Sequence, residues 1–244
     1  MSGHSHAKTI KHQKELTDQK RGQMFSKMAR AISVAVKQGG PNPETNSKLH
    51  VVFEQAKKFA MPKENIERAL KQAAGDIERQ KLEEVSFEAY GPGGIALIIE
   101  GITDNKNRAI GEIKQILNQN GGKLVGEGGV RWMFEKKGCI VANLKSQTSN
   151  LKDKERLGLL AIEVGAQDFY WHDDTLDIYT KIEDLERVKK NLEQKRVEIE
   201  SASLDWVEKE TIEVSQKDKE ACQKLFEALD ESDCVQEIYS NLKS

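Results

Sequence analysis

Proline, cysteine and aromatic side chains are all scarce in this chain: 4 prolines, 3 cysteines and 6% Phe, Trp and Tyr among 244 residues. The cysteines, Cys139, Cys222 and Cys234, are odd in number, widely spaced and never form CxxC. That excludes a disulfide framework and a structural zinc site, and it fits a reducing compartment. No stretch approaches the roughly 18 uninterrupted apolar residues a membrane helix needs. The opening Met1-Ser2-Gly3-His4-Ser5-His6 lacks the apolar centre of a secretory signal and is too poor in arginine for a mitochondrial presequence. Together these absences predict a cytoplasmic protein with no membrane partner. Catalytic signatures are missing as well: there is no GxSxG, no HExxH and no Cys–His pairing. The sequence therefore predicts a non-enzymatic protein with no cofactor and no small-molecule substrate.

Charge is abundant and unevenly placed. Charged residues make up 32% of the chain, yet the net charge is only -2. Residues 1–75 hold 14 Lys and Arg against 6 Asp and Glu, a net +8, and the remaining 24 Lys and Arg against 34 Asp and Glu give -10. A basic module joined to an acidic body predicts a polyanionic partner for one part only, and nucleic acid is the obvious one.

The chain changes grammar twice. Residues 1–20 are polar and basic with no apolar stripe. Phe25, Met28, Ile32 and Val36 then recur at helical spacing, and Gly39-Gly40-Pro41-Asn42-Pro43 stops that helix. Leu49, Val52, Phe53 and Ala56 mark a second helix. Pro62 suits the first turn of a third, whose inner face is Ile66, Ala69, Leu70 and Ala73, and Gly75 ends it. From Val85 the pattern turns to strands: Val85–Tyr90, Ile95–Ile99 and Val130–Phe134, with a helical stripe over Asn107–Asn120. From Gly138 to Ser203 the order of elements is βαββαβ, the ferredoxin-like arrangement. A strand over Leu204–Val214, a helix over Gln216–Leu229 and a strand over Val235–Tyr239 follow. The predicted fold class is α+β: an N-terminal three-helix domain followed by two α/β (ferredoxin-like) domains, one inserted in the other. The predicted boundaries are 1–78 for the basic helical domain, 79–136 plus 204–244 for a discontinuous α/β domain, and 137–203 for the inserted βαββαβ domain.

The basic domain supplies the candidate site. Lys8, Lys11, Lys14, Lys20, Arg21, Lys27 and Arg30 cluster within about two dozen residues, and Lys63, Arg68 and Lys71 lie on the outer face of the third helix. A cation set against a phosphate releases condensed counterions, which drives association. The competing reading of any charge run is a solvated helix face; here the acids are outnumbered by more than two to one, which favours phosphate. No Tyr or Trp lies in this domain, so contact with the backbone of duplex DNA or structured RNA is expected rather than base stacking. His4, His6, His12 and His50 place four of five histidines there, and His12 joins the candidate phosphate contacts. No carboxylate or cysteine lies at a compelling metal-ligand spacing beside them, so no metal is expected.

Other motifs read more simply. Gly91-Pro92-Gly93-Gly94 is either a phosphate cradle or a turn between strands, and the turn needs the same residues. Gly126-x-Gly128 has Arg131 where a dinucleotide fingerprint needs glycine. Phe169-Tyr170-Trp171 invites comparison with RNA-recognition sheets, but the signature of those domains is absent and burial of Phe169 and Trp171 is expected. His172 with Asp173 and Asp174 reads as a hairpin tip.

Several of these stretches also carry a family resemblance. Gly3-His4-Ser5, Ile10-Lys11-His12, Lys20-Arg21-Gly22, Met61-Pro62-Lys63 with Asn65-Ile66-Glu67-Arg68-Ala69, Tyr90-Gly91-Pro92-Gly93-Gly94, Thr103-Asp104-Asn105 with Asn107-Arg108, Asn120-Gly121-Gly122 and Trp132-Met133-Phe134 together resemble the YebC/PmpR family. The resemblance runs over nearly the whole chain. It implies a helical domain followed by two α/β domains and a bacterial cytoplasmic protein, the family start coinciding with Gly3. Family members are described as DNA-binding transcriptional regulators, others resemble translation factors acting at the ribosome, and mitochondrial relatives activate translation of cytochrome oxidase subunit I. The expected partner is therefore DNA, or ribosomal or other structured RNA. The chain departs from the usual family opening at His6 and Ala7, where lysine and tryptophan are usual, and at Gln13, where a basic residue is.

Overall fold

The computed structural model describes residues 18–75, 81–143, 151–172 and 175–243. Candidate residues Lys8, Lys11, His12 and Lys14, the histidines His4 and His6, and the expected hairpin tip at Asp173 and Asp174 lie outside the described residues.

Three helices open the described chain: α1 (Asp18–Gly39), α2 (Ser47–Lys58) and α3 (Lys63–Gly75). Their apolar stripes meet in one core made of Met24, Met28, Ile32, Ala35 and Val36 from α1, Leu49, Val52 and Ala56 from α2, Met61, and Ile66, Ala69 and Ala73 from α3. Phe25, Phe53, Phe59 and Leu70 pack against its edge. Each fully buried Ile or Leu here contributes about 2 kcal/mol.

Asn46 fixes the α1–α2 corner. Its Oδ1 accepts from the Leu49 N–H at 3.1 Å, capping α2, while its amide donates to the Ala35 and Gly40 carbonyls at 2.8 Å each. The residue that starts the next helix thereby also ties down two carbonyls at the end of α1. The fit is close, since a Cβ at Gly39 would lie 2.7 Å from the Asn46 side chain.

The chain then runs through β1 (Glu83–Tyr90), β2 (Ala96–Thr103), α4 (Lys106–Gln119), β3 (Lys123–Val125), β4 (Phe134–Asn143), α5 (Leu151–Glu163), β5 (Asp168–His172), β6 (Thr175–Thr180), α6 (Leu185–Gln194), β7 (Ile199–Glu208), α7 (Gln216–Asp230) and β8 (Val235–Ser240). Two four-stranded antiparallel sheets result, in the orders β3-β1-β2-β8 and β5-β6-β4-β7.

The second sheet belongs to a compact unit, Phe134–Thr211. Its βαββαβ connections place the first and third strands, β4 and β6, in the middle of the sheet, as the ferredoxin-like arrangement requires. α5 and α6 close one face over Ile140, Ala142, Leu176 and Ile178, with Phe169 and Trp171 packed at the margin. The last strand departs from expectation. The sequence places a strand over Leu204–Val214 in the other α/β domain, but β7 covers Ile199–Glu208 and pairs with β4 from Phe134↔Glu208 to Ala142↔Ile199. β4 is ten residues long, and its hydrogen bonds along this edge are met by a β7 of equal length.

The first sheet lies in the other unit, made of the described part of Ser5–Met133 and Ile212–Lys243. One face of β1 and β2 sends Val85, Phe87, Ala89, Leu97 and Ile99 against Ala109, Ile113 and Leu117 of α4 and Cys222, Leu225, Phe226 and Leu229 of α7, while β2 is buried on its other face as well. Pro92–Gly94 forms a 3-10 turn between these two strands, with Gly93 at φ 69°. The expected strand over Val130–Phe134 is instead a 3-10 turn, Arg131–Met133, running into β4. Among the described residues no helix is long and apolar enough to cross a membrane.

Candidate nucleic-acid interface

Helix α1 has two buried sides, and this divides the candidate cations. One side feeds the bundle core. The other carries buried Lys27 and Val34 and half-buried Arg30, with exposed Lys37 and Gln38 continuing the same row, and it faces the α7–β8 corner and the start of β1 within the same unit. Lys27 is only 3% exposed; its ammonium donates to the main-chain carbonyl of Asp230 and to the Asp230 carboxylate at 2.9 Å. Arg30 donates to the Asp233 carbonyl at 3.0 Å and meets its carboxylate at 3.4 Å. At the other end of α1, Gln38 and Lys48 both reach the carboxylate of Glu84, and Lys37 donates to the Leu82 carbonyl.

The expectation that Lys27 and Arg30 contact phosphate is corrected accordingly. Both lie off the bundle's apolar stripe, but on the side of α1 that meets a second partner, where Lys27 is buried and Arg30 is 29% exposed and engaged with Asp233. Lys27 holds the bundle to the α7–β8 corner and is sealed from solvent, while Arg30 is half-buried on the same corner.

Five candidates stay on the outside. Arg21 is exposed and Lys20 half-exposed in the first described turns of α1. Lys63, Arg68 and Lys71 are exposed on one flank of α3, where Lys63 pairs with Glu67 at 3.6 Å. Lys57 and Lys58, not among the candidates, extend the outward charge at the end of α2. Residues 18–75 hold 11 Lys and Arg against 5 Asp and Glu, so the bundle stays basic after two cations are committed to Asp230 and Asp233.

A second feature escaped sequence reasoning. The residues of β1 that point away from the core, Ser86, Glu88 and Tyr90, all touch the loop from Gly126 to Met133. Glu88 is 4% exposed and accepts from the backbone N–H groups of Gly128, Val130 and Arg131, each at 2.9 Å. The Arg131 guanidinium lies 3.2 Å from the same carboxylate and donates to the Ser86 hydroxyl. Burial pushes the Glu88 pKa up, but the three N–H donors and Arg131 outweigh it and hold the carboxyl below its ordinary value. Tyr90 donates to the Gly129 carbonyl at 3.4 Å. The loop is thus two tight turns, closed by Gly129 N–H to Gly126 and Met133 N–H to Val130, with Gly128 at φ 82°. At its end Trp132 is 64% exposed. The linear hint is Glu88 standing between Phe87 and Ala89.

The three thiols are free and buried. Burial, reinforced by Asp218, pushes Cys222 up to about 11, and burial raises Cys234 as well, so both stay protonated near neutral pH.

Comparison with known proteins agrees along the whole length. A family model described as the TACO1/YebC protein N-terminal domain matches residues 5–76, and one described as the TACO1/YebC second and third domain matches residues 82–242. A protein of Thermoanaerobacter pseudethanolicus named "Probable transcriptional regulatory protein" is 42% identical over 243 residues, covering 100% of this chain and 97% of its own length. A protein of the same name from Prosthecochloris aestuarii is 41% identical, covering 100% and 96%. The crystal structure of a conserved hypothetical protein from Aquifex aeolicus superposes with a TM-score of 0.85 at 42% identity, covering 96% of this chain and 95% of that one. The chain belongs to the TACO1/YebC family.

Proposed function

We propose that this protein is a non-enzymatic regulator of gene expression that binds nucleic acid by gripping the phosphate backbone with its helical bundle. The observation that carries the reading is the distribution of cations: Lys20, Arg21, Lys63, Arg68 and Lys71 face outward from a bundle whose inward cations, Lys27 and Arg30, are committed to carboxylates. The names printed for the relatives, probable transcriptional regulatory proteins, support a regulatory role. About five phosphate contacts give a log–log slope of binding constant against salt near -4.5 on duplex DNA and near -3.5 on a single strand.

Binding to fluorescein-labelled duplex DNA and to structured RNA across a salt series tests the proposal, and a flat response on both overturns it. The same chemistry serves a transcriptional regulator on DNA and a translation factor on ribosomal RNA. Sedimentation of the tagged protein through a sucrose gradient, with and without ribonuclease, separates them. Ribonuclease-sensitive co-migration with ribosomes assigns the phosphates to ribosomal RNA. A protein that stays at the top in both runs assigns them to DNA.

A further inference from the structure

Helix α5 leaves apolar surface in water on the side away from its core. Leu157, Leu160 and Ala161 pack inward, and Gly158 lies so close to the Phe169 ring that a Cβ there would meet it at 2.4 Å. The opposite side carries Leu159, 71% exposed, and one turn on Ile162, 45% exposed. We infer that this side of α5 is a weak self-association surface, on which a second copy of the chain docks its own α5 antiparallel. The inference is independent of the nucleic-acid reading above.

The charges around the two apolar side chains choose the occupant. At about 100° per residue, Arg156 and Glu163 fall on one flank of Leu159, one before it and one after, and both are exposed. Neither forms an ion pair or a side-chain hydrogen bond among the described residues. A two-fold axis lying in the interface beside Leu159 reverses the helix direction and keeps that flank on the same side. Arg156 of each copy then stands opposite the partner's Glu163, and Leu159 packs on its own counterpart at the centre. Glu155 is on the other flank with Ile162, and the two copies of it lie about 12 Å apart along the helix axis, too far to repel strongly. A parallel pairing would set arginine against arginine and glutamate against glutamate, so the order of charges selects the antiparallel one. A polyanion fits this surface poorly, because Phe134–Thr211 carries 13 Lys and Arg against 17 Asp and Glu. The apolar contact is two side chains per copy, small for a stable interface, so the pair forms only at high protein concentration.

Sedimentation equilibrium of the full chain at low salt, from about 10 µM to about 1 mM, tests the inference. The average mass is expected to rise from one copy toward two across that range. Leu159→Ser should weaken association about ten-fold, and so should Arg156→Glu or Glu163→Arg alone, since each change alters two symmetry-related contacts. Arg156→Glu combined with Glu163→Arg restores the pairing across the axis and is expected to recover association to within about two-fold of the parent. Thermal unfolding of all these variants should match the parent, because the side chains lie in solvent. A mass of one copy at every concentration overturns the proposal. So does association that Leu159→Ser and the single reversals leave unchanged, which puts the contact elsewhere on the chain. A double reversal that fails to recover overturns the antiparallel arrangement. Loss of oligonucleotide binding in Leu159→Ser, with the mass constant at one copy, overturns it as well and gives the surface to nucleic acid.

Discussion

Lys27 of α1 and Asp230 at the end of α7 are 203 positions apart, yet the lysine ammonium meets both the carboxylate and the main-chain carbonyl of that one residue. The lysine is sealed and the carboxylate is half in water, with side-chain exposures of 4% and 48%. The contact therefore acts as a pin whose buried end is the cation.

Lys27→Ala is expected to lower stability by about 2 kcal/mol, through loss of two charge-assisted hydrogen bonds and of packing along the lysine stem. Urea unfolding checks this. The salt slope of nucleic-acid binding should stay at its parent value, because Lys27 touches no phosphate. A shallower slope in this variant would return Lys27 to the interface.

Lys20→Glu with Arg21→Glu should do the opposite. Binding at low salt is expected to fall by about a hundred-fold, from two lost phosphate contacts and two introduced repulsions. The unfolding midpoint should move by less than about 0.5 kcal/mol equivalent, since exposed substitutions are usually near neutral. Loss of folding would show that these residues are structural.

Glu88→Gln is expected to destabilise the first sheet's unit by about 3 kcal/mol, because the amide keeps one acceptor oxygen for three backbone donors and removes the buried negative charge nearest Arg131. The pH dependence has a definite sign. The carboxyl titrates lower in the folded protein than the ordinary 4.5. Its stabilisation is therefore complete above pH 4.5 and is lost as pH falls through the folded value. Thermal melts of the parent and the variant should differ by a constant amount near neutrality and converge in acid. A gap that persists unchanged to low pH would mean that charge is not what holds the loop.

Asn46→Ala removes a helix cap and two buried side-chain hydrogen bonds to carbonyls at the α1–α2 corner. A loss of about 3 kcal/mol is expected, more than a cap alone costs. Asn46→Asp separates the two roles: it caps α2 but donates to neither carbonyl, and an intermediate loss is expected in the same urea experiment.

Most of the fold was legible in the sequence because its helices and strands bury one side each, and that produces a period. The stripes from Met28 to Ala73, the alternation of Val85–Tyr90 and the βαββαβ order were all readable this way. What escaped has no period. β3 spans three residues, Lys123–Val125, too few to alternate. β7 runs on past its core residues because β4 does, a requirement of the partner strand and not of its own side chains. Lys27 and Arg30 read as outward because a single stripe was counted on a helix that packs on two sides. The role of Glu88 was not legible because its partners lie some forty positions away in a loop with no regular pattern. Of the proposed contact surface, the charge was visible in composition, whereas which cations face outward needed the three-dimensional arrangement.

The pairing of β4 with β7 bears on how this chain folds as it is made. β8 cannot join β2 until everything between Val125 and Val235 has been synthesised, so the first sheet must close a very long loop last. Left as random coil, that loop would be slow to close and costly in entropy. The segment from Phe134 to Glu208, however, ties its own two ends together as neighbouring strands. Once that segment has folded on itself, the connection from β3 to α7 behaves as a short one, and the late strand arrives as though from a nearby turn. Substitutions in the inserted unit that delay its folding should therefore slow completion of a sheet to which they contribute no residue.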